Sequence, residues 1–188
     1  MSLTASYAVP LQAASAIVTP GDVGGAVAFD TLVREGPLVV VHGRGAVPAG
    51  VPVTPRIRML ALAPHLPPRT VVGRASAAWV YLGGAPGQRV TVLYPPNCHR
   101  PHPGRRVASH QAVLRADEVV RLGGVAITTP ARTAADVALF APETEATRLV
   151  RELIAATAMS ARDVLTALGR RRGDAAYGRA LDVVRAIG

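Results

Sequence analysis

The chain has 188 residues, of which 49% are apolar and 18% charged, a composition that excludes intrinsic disorder and suits one ordinary domain or two small ones. No stretch approaches the ~20 uninterrupted apolar residues that span a bilayer, and the first residues lack the basic start of a secretory leader, so a cytoplasmic protein outside the membrane is expected. The net charge of +9 rests on 21 basic residues, all arginine; without lysine there is no Walker A loop, no ordinary protein-kinase apparatus and no Schiff-base amine.

In chain order, residues 2–18 leave room for at most one short helix, broken at Pro10. After the breaker Thr19-Pro20-Gly21, residues 22–35 place Val23, Val27, Phe29, Leu32 and Val33 toward one side, with Asp30 and Arg34 opposite, which predicts a short helix ending at Gly36. Two β-rich runs follow around His42-Gly43-Arg44-Gly45, a hairpin tipped with a cation. A helix followed by such a ribbon is the second half of a winged helix-turn-helix, in which the helix enters the major groove and a wing arginine touches the backbone or minor groove. Arg34, His42 and Arg44 are therefore the candidate DNA-binding residues.

Thr54-Pro55 starts a helix that stops at Pro64. A β segment over residues 70–72 leads into the helix RASAAWVYL, closed by Gly83-Gly84, with Arg74 and Ser76 at its start, where backbone N–H groups favour an anion. Residues 88–94 alternate like a half-buried strand, and residues 105–109, including Arg105 and Arg106, read as its partner. An acidic turn, strands Val119–Leu122 and Val125–Thr128, and a helix capped by Thr129-Pro130 come next. On that helix Arg132 and Asp136 share a face at i,i+4, a spacing that suits a buried structural pair. Further helices are predicted over about 142–157, over 161–171 behind a Ser160 cap and over 174–187 behind Asp174 as cap, the middle one closed by Arg170-Arg171-Arg172. These elements make an α+β protein: a partial winged-helix-like helix plus hairpin over residues 1–50, then a small antiparallel or mixed sheet with helices and a C-terminal helical bundle over 51–188.

The charges are unevenly placed. Residues 36–116 hold ten arginines, all five histidines and no carboxylate. Such a stretch offers no carboxylate pair for acid–base work and no hard-metal site; its natural partners are phosphates or an acidic protein. The single cysteine, Cys98, makes neither an internal disulfide nor a thiolate-rich zinc site, and with His99, His102 and His110 it lacks a persuasive ligand spacing. No metal, cofactor or catalytic residue is expected.

The order of the pieces resembles the AbiEi-type antitoxins. The resemblance is carried by LVREGPLVVVHGRGAVPAG, VVGRASAAWVYLG, RVTVLYPP and RVASHQAVLRADEVVRLGGVAITTPARTAADVA, and it runs from about residue 31 to 188. Its most specific block is Pro130-Ala131-Arg132-Thr133 followed by Asp136-Val137-Ala138. It implies an antitoxin domain over 51–188 that neutralises a nucleotidyltransferase-like (AbiEii-like) toxin and, with a shortened winged helix, represses its own operon by binding operator DNA. Arg74, Ser76, Arg105, Arg106, Arg132 and Arg171 are the candidate anion- or partner-binding residues. Two alternatives are an atypical ATP-dependent serine/threonine kinase acting on the toxin through Asp117, Glu118 and Asp136 with Mg²⁺, and a stand-alone nucleic-acid-binding regulator.

Overall fold

A computed structural model describes residues 17–101 and 106–187, in two compact units divided between Pro52 and Val53. The helix expected within residues 2–18 lies outside the described residues as far as position 16, as do His102 and Arg105.

In the first unit a one-turn 3₁₀ helix at Pro20–Val23 is fixed by Asp22, whose carboxylate accepts from the Thr19 backbone N–H at 2.8 Å and from its hydroxyl at 2.7 Å. Helix α1 then spans Ala26–Glu35. The single helix expected over 22–35 is thus corrected to a turn, a bend and a helix. Its cause is Gly24-Gly25, which adopts φ of 85° and 112°, a region that glycine enters at little cost and that no α-helix can contain. Strands β1 (Leu38–His42) and β2 (Gly45–Pro48) form an antiparallel hairpin turned at Gly43. A bulge between Val40 and His42 resets the alternation, so that Leu38 and Val41 are both buried. Val18 bridges antiparallel to Ala46 through two backbone bonds of 2.7 and 2.9 Å, placing β2 between Val18 and β1. Phe29, Leu38 and Ala46 form the core, packed by Val18, Val23, Leu32 and Val33.

The second unit is α+β. Helix α2 (Pro55–Leu62) is capped by Thr54, whose hydroxyl accepts from the Ile57 N–H at 3.3 Å. Strand β3 (Val71–Val72), helix α3 (Arg74–Leu82), strands β4 (Val90–Tyr94), β5 (Val107–Gln111), β6 (Val119–Leu122) and β7 (Val125–Thr128), and helix α4 (Pro130–Phe140) follow. The sheet is mixed, in the order β5-β4-β3-β7-β6: β4–β5 and β3–β7 are parallel, the other two pairs antiparallel. Its middle strand has only two residues. The partner of β4 begins two residues later than the predicted 105, at Val107, because parallel pairing sets Val90 beside Val107.

Helix α4 is buried continuously from Arg132 to Leu139, as a helix surrounded on all sides must be. Around it pack α3, α5 (Glu143–Thr157), α6 (Ala161–Gly169) and α7 (Tyr177–Arg185), with Leu139, Val150, Leu153, Val164, Leu168 and Val184 at the centre. The last helix starts at Tyr177 rather than the expected 174. Asp174, read as its cap, instead accepts from Arg171 Nε at 2.7 Å.

Candidate functional site

In the first unit the apolar spacing of α1 turns Phe29, Leu32 and Val33 to the core, which leaves Val27, Asp30, Thr31 and Arg34 along the opposite face. Val27, expected on the same side as Phe29 and Leu32, is instead 83% exposed on this face. Arg34 Nη2 donates to Thr31 Oγ1 at 3.4 Å within that face. The hairpin turn carries Arg44 back to the same face, where its Nη1 donates to Asp30 Oδ1 at 3.4 Å. His42 sits at the end of β1 opposite Gly45, half-buried. Arg34 and Arg44 thus border one exposed helix face, with His42 behind the turn.

In the second unit the Arg132–Asp136 pair is present, and it is the middle of a longer chain of charges. Arg132 Nε donates to Asp136 Oδ1 at 3.0 Å, and its Nη1 donates to Glu118 Oε2 at 2.7 Å and to the Val113 carbonyl at 3.1 Å. Arg171 Nη1 reaches the same Asp136 oxygen at 2.9 Å, while Arg170 Nη2 holds Asp117 at 2.8 Å and its Nη1 lies 3.7 Å from Glu118. Arg132 and Asp136 are each 1% exposed. Burial pushes the Asp136 carboxyl up, against the pull of the Arg132, Arg171 and Arg74 guanidinium groups. Such a network joins the segment before β6 to α4 and to the α6–α7 connection. Arg132 and Arg171, expected to bind an anion or a partner, serve here as internal anchors: Arg132 holds Glu118 and Asp136, and Arg171 holds Asp136 and Asp174. The carboxylates Asp117, Glu118 and Asp136 each pair with arginine in return, while Asp136 Oδ2 is buried without a hydrogen-bond partner.

Arg74 differs from these arginines. It opens α3 at φ 53°, and its guanidinium stacks 3.8 Å from the centroid of the half-exposed Phe140 ring, with no ion pair to a carboxylate among the described residues. Burial lowers its pKa, and Arg74, Arg100 and Arg89 add to burial in lowering that of His110. Ser76, expected beside an anion, accepts from the Thr91 N–H at 2.8 Å and so ties α3 to β4. Arg106 is exposed just before β5, with its carbonyl accepting from Val90 N–H at 2.7 Å.

Glu118 and Arg170 are the participants that sequence reasoning missed as structural partners. The one signal for them was that Asp117 and Glu118 are the first carboxylates after a long arginine-only stretch. Among the described residues no group of three or more His, Cys, Asp or Glu could hold a metal ion, and no helix is long and apolar enough to cross a membrane.

No protein-family model matches this chain, and no curated protein matches it. Among solved structures, the crystal structure of the RV2827C protein from Mycobacterium tuberculosis is similar over 93% of this chain and 73% of that one, with 19% identity and a TM-score of 0.48.

Proposed function

We propose that this protein is a cytoplasmic antitoxin of the AbiEi type, whose first unit binds operator DNA and whose second unit opposes a nucleotidyltransferase-like toxin. The observation that carries the reading is the pairing of an exposed α1 face bearing Arg34 with a hairpin tip bearing Arg44. The order of the first unit supports it as well. A bridging strand residue, a short helical turn, a glycine bend, a helix and a two-stranded ribbon follow one another as in a winged helix-turn-helix. In that mode α1 lies in the major groove, Arg34 meets a base edge or phosphate, and Arg44 meets the backbone beside it.

The antitoxin part rests on the resemblance carried by the Pro130 to Ala138 block and on the charge map. Exposed arginines such as Arg106 stand on a stretch without carboxylates, which suits an acidic toxin surface. Docking is favoured over phosphorylation of the toxin because the three carboxylates a kinase would use are each held by arginine.

Two measurements test the proposal. Full-length protein should bind its promoter duplex with an affinity that falls steeply as salt rises. Titrated against the toxin encoded beside it, it should suppress activity only near stoichiometric ratio, with the toxin's intact mass unchanged. Suppression by a trace of this protein with ATP, accompanied by a phosphoryl mass increase on the toxin, would overturn docking.

A further inference from the structure

The outward face of α1 follows the spacing i, i+3, i+4, i+7 with Val27, Asp30, Thr31 and Arg34. Three of these suit a surface that approaches a polyanion: an apolar contact, a hydroxyl and a cation. Asp30 does not, because a bare carboxylate there repels phosphate. Asp22, by contrast, is occupied in its own turn with Thr19, whereas Asp30 stands mid-helix on the face itself. Its partner comes from the hairpin tip, fourteen residues along the chain, at 3.4 Å. Both side chains are more than half exposed, and a pair so exposed contributes little to folding. The fold therefore gives no reason for a carboxylate at this position.

On the reading that α1 binds DNA, we propose that Asp30 is a specificity-determining residue: Arg44 holds it in the free protein, and on DNA it accepts a hydrogen bond from a base amino group in the major groove, cytosine N4 first. An ionised carboxylate only accepts. In the major groove cytosine and adenine present amino donors, whereas guanine offers N7 and O6 and thymine offers O4, all acceptors. Asp30 thus favours an amino group at its position and rejects the bases without one, so that discrimination comes from repulsion as much as attraction. Arg44 makes the carboxylate tolerable beside the backbone. Its planar group has five N–H donors, of which one faces Asp30, so the others remain for phosphate.

The test is selection from a pool of randomised DNA duplexes with the full-length protein and its Asp30→Asn variant, followed by affinity measurements on the winning duplexes. The wild type is expected to enrich cytosine, or adenine in its place, at one fixed position. Asp30→Asn should lose that preference by about tenfold or more at that position alone, while binding unselected duplex more tightly because a negative charge is gone. Arg44→Ala should weaken binding to all duplexes in the wild type and do so less in the Asp30→Asn background. If both proteins bind with steep salt dependence and select the same bases everywhere, Asp30 is a surface ion pair and the assignment falls. A wild type that binds no duplex removes the DNA-binding reading itself, and that failure is visible without any variant.

Discussion

Arg132 holds two carboxylates and a carbonyl with one planar group, and the cost of removing it follows from what it leaves behind. Arg132→Ala leaves the buried Asp136 to Arg171 alone and the buried Glu118 to the more distant Arg170, so a loss of about 3–5 kcal/mol in chemical denaturation is expected. Arg132→Lys keeps the charge without the fork and should fall between. A pH dependence is expected at His110, whose pKa lies below its ordinary 6.5 through burial and neighbouring arginines. The folded state then binds its proton less readily than the unfolded chain, so stability is full above 6.5 and declines as pH falls through the folded value. His110→Gln should flatten that part of a plot of melting temperature against pH. At this scale the sequence was legible where partners sit on one element: Arg132 and Asp136 are one helical turn apart. Glu118 was not legible, because its approach depends on how the segment before β6 folds back onto α4.

Caps and breakers decide the elements. Thr54, Thr129 and Ser160 each accept from a first-turn N–H of the helix they precede, and all three starts could be read from the chain. The start of α7 could not, since Asp174 has the chemistry of a cap and its use by Arg171 is a tertiary fact. Gly73, between β3 and α3, shows why a helix can need a glycine without needing its backbone freedom. A Cβ there would stand 2.6 Å from Leu93 Cδ1 on β4, and Leu93 is itself buried. Gly73→Ala is expected to cost about 1–3 kcal/mol by overpacking. Gly87→Ala, whose nearest neighbour would be 3.7 Å away, should leave the denaturation midpoint almost unchanged and serves as the control.

For the whole molecule, two compact units carrying two proposed tasks imply that the tasks can be separated. Arg34→Ala with Arg44→Ala, both on exposed side chains, should leave the melting temperature and protection from the toxin intact. Promoter affinity should drop, and the slope of its logarithm against that of salt should shrink by about one for each phosphate that is no longer neutralised. Fluorescence anisotropy and co-expression growth tests read the two separately. The α+β class was legible from periodicity and turn residues, but the sheet order was not, since nothing local in a two-residue strand says that it lies in the middle. That brevity also has a kinetic consequence. The β6–β7 hairpin closes locally, whereas the joint between the halves of the sheet is the parallel register of Val72 with Ile127, distant in sequence. Such long-range closure is slow. During synthesis β3 and β4 must wait for β7 and the α4 that follows it, so the early-made half of this unit emerges with an unmatched strand edge that only the late-made half can cover.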